Sequence, residues 1–180
     1  AGPEIDRLVA GATLTEILVL LDQDDEAADV WSRAISTHPD NRVLRMGRIQ
    51  FEVGRGDDRA AFEAAAAADA DGLGVDAHDD MDWIALTAGL IAGAGRIDSV
   101  RELLLERSVD GSLGLEATLY LARVLDSTGG NGRALGLLRE AMVRWPDAPR
   151  PRVYLGEFLA MGGDLPAAEE AIREALAMAP

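Results

Sequence analysis

Apolar residues recur at helical spacing along the chain, in short runs that end at glycine or proline. In the segment 149–180, Ala168, Ile172 and Ala175 lie three or four residues apart, which places them on one face of a helix. Gly163 interrupts the pattern before them, and a proline closes it after them. Because glycine can take the left-handed conformation that ends a helix and proline cannot continue one, the segment predicts two short helices joined by a turn.

The same pattern recurs upstream at a nearly constant interval. Gly163 is preceded by Gly129 and Gly95 at steps of 34 residues, and a step of 39 residues then reaches Gly56. We therefore predict one domain of five repeats, with an insertion, 76–80, after the second repeat. The repeats are 8–41, 42–75, 81–114, 115–148 and 149–180.

Each repeat predicts a pair of helices. Small residues at the eighth, twentieth and twenty-seventh places, such as Gly156, Ala168 and Ala175, let the two helices of a pair approach closely. Asp40 and Asp147 follow repeat-closing prolines and are expected to cap the next helix. The ten predicted helices are 5–21, 25–37, 41–53, 57–69, 79–94, 97–107, 113–128, 132–144, 148–161 and 165–178.

The composition favours an all-α fold. Hydrophobic residues make up 48% of the chain and aromatic residues only 4%. Alanine and leucine favour helices, whereas the aromatic and β-branched residues that favour strands are sparse. Cysteine is absent, which excludes disulfides, thiolate metal sites and cysteine nucleophiles.

The net charge and the length of the apolar runs limit the partners that we expect for this chain. The formal net charge is −15, and nucleic acid is not an expected partner because phosphate binding needs a positive surface. The most apolar run, 17–21, is far shorter than the roughly 20 residues that span a bilayer, so no membrane span is expected. All 17 basic residues are arginine, which is typical of GC-rich bacterial genomes. The compartment stays open, and we expect a soluble protein with the cytoplasm favoured over the periplasm.

The sequence contains no catalytic or cofactor motif. His38 precedes a repeat-closing proline, His78 lies in an acidic segment, and no glycine-rich phosphate loop occurs, so we expect no enzyme activity and no cofactor. The segment 69–80 partly matches a calcium loop, with Asp69, Asp71 and Asp80 at ligand places. Leucine occupies the fifth place of that loop, where an oxygen ligand is needed. A solvated loop between repeats is therefore the favoured interpretation.

This series of helix pairs resembles the tetratricopeptide repeat (TPR), and the resemblance covers residues 8–180. It implies a right-handed superhelix of antiparallel helix pairs, whose first helices line a concave groove that binds a peptide or helix segment. It also implies groove residues at the second, fifth, ninth, twelfth and thirteenth places of a repeat. From these places we select as candidate groove residues Val9, Ala12, Glu16, Val19, Val43, Met46, Gln50, Val53, Ala85, Gly89, Leu119, Arg123, Asp126, Arg150, Val153, Glu157 and Met161.

The residues of this groove limit the kinds of partner that we expect it to bind. Family members that clamp the C-terminal carboxylate of heat-shock chaperones use lysine, asparagine and arginine, whereas this chain has no lysine and no asparagine in the groove. An apolar floor with polar side chains suits an amphipathic helix or an extended segment with apolar anchors and basic flanks. We therefore expect a non-catalytic protein-interaction scaffold that is part of a larger bacterial protein or assembly.

Two alternatives to a binding scaffold stay open. The first is a structural module that self-associates through its last repeat, because the chain stops at Pro180 without the polar capping helix that ends most solenoids. Leu176 and Met178 lie next to that end. The second is the regulatory or recruiting arm of an enzyme whose catalytic domain is absent.

Overall fold

Nine α-helices make up most of the described chain, which comprises residues 15, 17, 18, 21, 23–72, 75, 76, 79, 80 and 82–178 of a computed structural model. Two short strands, β1 (Val75–Asp76) and β2 (Asp79–Asp80), pair antiparallel. The helices are α1 (Asp24–Thr37), α2 (Arg42–Arg55), α3 (Asp58–Ala70), α4 (Trp83–Gly93), α5 (Ile97–Val109), α6 (Leu115–Ser127), α7 (Asn131–Arg144), α8 (Arg150–Met161) and α9 (Leu165–Met178).

The predicted all-α class is confirmed, and the predicted ends of these nine helices agree with the structure within two residues, with one exception. The first predicted helix, 5–21, lies mostly outside the described residues, although Thr15, Ile17 and Leu18 are described and are helical. In the part of the chain that the structure describes, no helix is both long and apolar enough to cross a membrane.

The exception is the start of α4. The predicted start at residue 79 is wrong, because Asp79 lies in β2 and the helix begins at Trp83. The Ala85 backbone N–H donates to Asp82 Oδ1 at 2.9 Å, and the Trp83 N–H donates to Asp69 Oδ1 at 3.3 Å. Several acidic residues in this segment can cap a helix, so the sequence pattern does not identify which of them is used.

Glycine ends the first helix of a repeat, as predicted. Gly56, Gly95, Gly129 and Gly163 stand at the fifteenth place, counted in the register of their repeats, and their φ angles are 83°, 83°, 85° and 88°. This is the left-handed region, where a side chain would be strained. The backbone thus has a left-handed glycine at the predicted fifteenth place of four repeats, while the bounds of the repeats stay a prediction.

The predicted caps Asp40 and Asp147 are wrong. Asn41 caps α2, and its Oδ1 accepts from the backbone N–H of Val43 at 3.0 Å and of Leu44 at 3.2 Å. Helix α8 begins after Pro149 and has no side-chain cap. Its first turn contains a second proline, which lacks the N–H group that a cap would satisfy.

Small residues allow the two helices of a repeat to pack closely, as the sequence predicts. A Cβ atom at Gly156 of α8 would lie 2.7 Å from Ile172 Cγ1 and 3.1 Å from the Ala168 carbonyl oxygen of α9. Ala168 and Ala175 are buried in the same contact. Larger side chains at these places would force the helix pair apart.

The chain divides into two compact units, residues 1–91 and 92–180, and the division falls inside α4. In the first unit α1 packs on α2 and α2 on α3, around fully buried side chains such as Ile49 and Phe62. In the second unit each helix from α5 to α9 packs on the next, around Leu104, Leu121 and Leu138. Each unit thus has a core of its own, and the arrangement of all repeats as one domain stays a prediction.

Arginine side chains form hydrogen bonds with backbone carbonyl groups at the joints between repeats. Arg45 Nη2 donates to the Pro39 carbonyl oxygen at 3.1 Å, and Arg152 Nη1 donates to the Pro146 carbonyl oxygen at 3.3 Å. Both arginines occupy the fourth place of a repeat that follows a repeat-closing proline. Carbonyl groups after a helix end lack intrahelical partners, so the two arginines supply hydrogen-bond donors that these carbonyl groups otherwise lack.

The joint after the third repeat is held differently. It has Ser112 where the first, fourth and fifth repeats have proline, and Arg144 of α7 donates from Nη2 to the Gly111 carbonyl oxygen at 2.8 Å. The Arg144 guanidinium also lies 4.5 Å from the ring centre of Trp145, a contact worth about 0.5–1 kcal/mol at an exposed site. Arg144 of the fourth repeat therefore donates to the backbone of this joint, as Arg45 and Arg152 do at two other joints.

Candidate functional site

The groove residues predicted in the first unit lie on α2 and α4 where they are described. Val43 is 74% exposed and Gln50 is also exposed. No atom lies within 4 Å of the place that a Cβ atom would take at Gly89, so that position faces open space. Met46, Val53, Ala85 and Gly89 are partly exposed. The other predicted residues of this unit, Val9, Ala12, Glu16 and Val19, lie outside the described residues.

The assignment of Leu119 to the groove is wrong. Its side chain is 1% exposed, and α6 is in contact with α5, α7 and α8. Because α6 is surrounded by three helices, its fifth place is buried instead of facing a groove. Leu119 therefore belongs to the core of the second unit.

Two residues at the rim of the second unit pair with each other, and one of them is a predicted groove residue. Arg150 Nη1 of α8 donates to Glu116 Oε1 of α6, and both residues stand at the second place of their repeats. Partial burial acts to lower the pKa of Arg150, but the interactions with Glu116 and Tyr154 together outweigh it, so that the pKa is raised. Val153, one turn further along α8, is partly exposed. The ion pair joins the N-terminal ends of the two helices.

A hollow of about 340 Å³ lies between the C-terminal halves of α6 and α8. It brings together four predicted groove residues, Arg123, Asp126, Glu157 and Met161. The remaining lining residues are Ile97, Tyr120, Val124, Ser127 and Phe158. We call this space the α6–α8 hollow.

The α6–α8 hollow combines an apolar surface with charged groups. Met161 is 67% exposed at its edge, while Val124 and Phe158 are buried in its wall. Arg123 and Glu157 are exposed. Among the described residues, Arg123, Asp126 and Glu157 form no ion pair and no side-chain hydrogen bond. Within the described ranges these three charges have no such partner, unlike the paired charges of Glu116 and Arg150.

Sequence reasoning missed the aromatic residues of the hollow. Tyr120 and Phe158 stand at the sixth and tenth places, which the resemblance does not assign to the groove. Phe158 lies edge-on to Tyr154, with ring centres 6.4 Å apart and planes at 84°. Aromatic residues are scarce in the chain, and two of them line this hollow. The positions of the aromatic residues in the sequence could therefore have pointed to this site.

The first unit contains a furrow of about 380 Å³ between α1, α2 and α3. Its walls are small residues such as Ser32, Ala60 and Ala64. The arginines that line it, Arg45 and Arg48, already pair with Asp71 and Glu52. The furrow contains none of the predicted groove residues, and its cations are neutralised within the chain.

The acidic segment that resembles a calcium loop uses its described carboxylates within the protein. Asp71 pairs with Arg45, and Asp69 accepts the backbone N–H of Trp83. The side chain of Asp80 lies outside the described part of the chain. Within the described ranges, no three histidine or carboxylate side chains gather in a way that could hold a metal ion.

Comparison with solved structures identifies the fold. The chain is similar to a crystal structure of MamA, with 14% sequence identity over 91% of this chain and 93% of that chain and a TM-score of 0.54. It is similar to YrrB, described as a TPR protein with an unusual peptide-binding site, with 14% identity over 94% of this chain and 85% of that chain and a TM-score of 0.54. For TTC0263, a thermophilic TPR protein in Thermus thermophilus, the identity is 18% over 95% and 91% of the two chains, with a TM-score of 0.53.

These similarities confirm the TPR fold that the repeat pattern predicts. At such low identity they show the fold alone, because one fold carries many functions. No protein-family model matches the chain, and no curated protein matches it.

Proposed function

We propose that this chain, which has the TPR fold, is a non-catalytic scaffold that binds a peptide or a helical segment of another protein. In the second unit, the binding site is the α6–α8 hollow. The observation that carries this proposal is the group of charges without ion-pair partners in the described chain, Arg123, Asp126 and Glu157, beside the exposed Met161. An apolar surface with a few convergent polar groups is typical of a binding site.

The charges of the hollow favour a ligand with basic residues. Asp126 and Glu157 supply two carboxylates against the single guanidinium of Arg123, and the whole chain carries a net charge of −15. A segment with an apolar anchor against Met161 and a basic flank near the carboxylates complements this surface. The acidic field contributes more to association rate and selectivity than to affinity.

The ion pair of Glu116 and Arg150 limits the extent of this site. Because these side chains bind each other at the N-terminal ends of α6 and α8, a ligand gains less there than in the hollow. We therefore expect the ligand to contact the C-terminal halves of the two helices.

Selection of short random peptides displayed on phage against the full chain tests this proposal. We expect enriched peptides to share an apolar residue flanked by lysine or arginine. Met161→Asp should weaken their binding about tenfold or more, which corresponds to the loss of about 1.4 kcal/mol at an anchor residue. Glu157→Arg should weaken it through charge repulsion.

Two control variants make the same chemical changes elsewhere. Val143→Asp alters a side chain on α7 that is 83% exposed, and Glu170→Arg alters an exposed carboxylate on α9. Neither residue lines the hollow, so both variants should bind the selected peptides as the parent chain does. Equal binding by Met161→Asp and the parent chain would contradict the proposed site.

Self-association through the fifth repeat is a second candidate role. It is favoured by α9, which exposes Leu165 and Leu176 by 65% and 69%. Exposed apolar side chains that lie together often mark an interaction surface. Light scattering on the full chain tests this role, and a monomeric mass up to high micromolar concentration would exclude it.

A further inference from the structure

Helix α9 has an apolar stripe that the other helices of the described chain leave largely uncovered. Leu165, Ile172 and Leu176 follow one another at intervals of seven and four residues, which places them on the same side of the helix. Leu165 and Leu176 are largely exposed, and Ile172, which lies beside Gly156 of α8, is partly exposed. We call this side, together with Glu169 and Arg173, the α9 face.

The other repeats of the second unit show how much this stripe differs from its equivalents. Leu104 of α5 and Leu138 of α7 occupy the same place in their repeats as Ile172 of α9. Both leucines are fully buried, because α6 packs on α5 and α8 packs on α7. Among the described residues, the α9 face is exposed where the equivalent faces of α5 and α7 are covered by the following helix, so it has the character of a helix contact surface.

The charges on the α9 face are complementary to themselves. Glu169 Oε1 accepts from Arg173 Nη2 at 2.6 Å, and both side chains are exposed. Leu165 and Leu176 lie at nearly equal distances on either side of the midpoint between Glu169 and Arg173. When two such helices meet antiparallel, Leu165 of one copy lies against Leu176 of the other, and Glu169 of each copy approaches Arg173 of the other.

We propose that the α9 face binds the α9 face of a second copy of this chain in an antiparallel, two-fold arrangement. This inference rests on self-association as the second candidate role and names its partner surface. A two-fold interface needs one patch that is complementary to itself, and the α9 face meets this condition in both its leucines and its charges.

The size of the α9 face sets the expected strength. A helix of 14 residues is about 21 Å long, and one face of it buries less than the roughly 800 Å² per partner that is typical of stable complexes. The dimer should therefore be weak and should form at micromolar or higher concentration. Sedimentation equilibrium in about 0.15 M salt, which screens the net charge beyond about 8 Å, should show the mass rising from 19.1 kDa towards twice that value.

Charge reversal tests whether Glu169 and Arg173 face each other across the interface. Glu169→Arg places two cations on the face and Arg173→Glu places two carboxylates there, so each variant alone should stay monomeric. A mixture of the two variants should form a heterodimer, because every charged pair across the interface is then of opposite sign. Circular dichroism should show unchanged helicity, since both side chains are exposed.

Substitution of the leucines separates this surface from the α6–α8 hollow. Leu176→Glu should abolish the dimer, whereas Val143→Glu on α7 and Met161→Asp in the hollow should leave it intact. A chain that is monomeric at every concentration would exclude both self-association and this inference. A dimer that survives Leu176→Glu, or that Met161→Asp abolishes, would keep self-association and overturn the α9 face as its surface.

Discussion

Two neighbouring places in the first helix of each repeat face opposite environments. Residues at the eighth place are buried wherever they are described, and they are Thr15, Ile49, Ala88, Ala122 and Gly156. Residues at the ninth place are exposed or partly exposed, and the described ones are Gln50, Gly89, Arg123 and Glu157.

This difference teaches which residues determine the fold and which are available for function. At Gly156 a Cβ atom would collide with Ile172, whereas at Gly89 it would meet nothing within 4 Å. The eighth place is therefore limited by the volume between two helices, and the ninth place is not. Charge and size can vary at the ninth place without cost to the core, which suits a surface that recognises a partner.

Truncation of a buried and an exposed residue should give the largest contrast. Leu119→Ala removes a side chain from the core of the second unit and should lower the free energy of unfolding by about 2–5 kcal/mol. Met161→Ala removes an exposed side chain from the hollow and should change it by less than about 0.5 kcal/mol. Urea denaturation followed by circular dichroism measures both, and equal losses would contradict the placement of Leu119 in the core.

Enlargement of a glycine tests the packing side directly. Gly156→Leu should lower the free energy of unfolding by about 1–3 kcal/mol, because the added side chain overpacks the contact with Ile172. Gly136→Leu is the matched control, since Gly136 also lies inside a helix but has no atom within 4 Å of a Cβ position. Leucine favours a helix more than glycine does, so the control variant should not be destabilised by its helix propensity. A control variant that loses as much stability as Gly156→Leu would contradict the packing explanation.

A smaller effect of opposite sign is expected on the open side. Gly89→Ala should raise the free energy of unfolding by about 0.5–1 kcal/mol, because alanine loses less backbone entropy in a helix than glycine. The thermal midpoint should rise accordingly in a calorimetric scan. A lower midpoint would mean that the space beside Gly89 is occupied.

Glu52 is an exception to the contrast between buried apolar residues and exposed charged residues, because this charged residue of α2 is buried. Its carboxylate lies 2.5 Å from Arg48 Nη2 and 3.5 Å from Arg55 Nε. Burial raises the pKa of Glu52 above its usual value of 4.5, although both arginines act to lower it. The charged form is therefore less favourable in the folded chain than in the unfolded chain.

The pH dependence of stability should reveal this residue. Between pH 4.5 and the raised pKa the folded chain binds the proton more tightly, so the contribution of Glu52 to the free energy of unfolding falls as pH rises. Glu52→Gln removes this contribution and should be more stable than the parent chain at neutral pH, with the advantage shrinking towards pH 4.5. Asp110 does not interfere, because hydrogen bonds from Ser112 lower its pKa below 3.8. An advantage that is constant over this pH range would contradict the account.

The sequence predicted the fold well where glycine punctuates it. Left-handed glycines mark the end of the first helix in the second to fifth repeats, so the spacing of these glycines predicts the register of those repeats. The cap at Asp147 was mispredicted because α8 begins after Pro149 and has no side-chain cap. The start of α4 and the cap at Asp40 were mispredicted because neighbouring residues can also cap a helix. Tertiary contacts decide between such neighbours, and these contacts are not visible in a local pattern.

The candidate site was predictable only in part. The resemblance named Arg123, Asp126, Glu157 and Met161, which the structure brings together in one hollow. It also named Leu119, which is buried because three helices surround α6. The ion pair between Glu116 and Arg150 joins residues 34 positions apart, and its formation depends on side-chain conformations that the sequence pattern does not specify.

The binding of a selected peptide to the α6–α8 hollow can be measured at a single atom. The chain contains five methionines, and among the described ones only Met161 lines the hollow. In a chain labelled with carbon-13 at the methionine methyl groups, titration with the selected peptide should shift the Met161 resonance. The resonances of Met142 on α7 and Met178 on α9 should stay in place. Binding that shifts Met142 or Met178 and leaves Met161 unchanged would contradict the central claim.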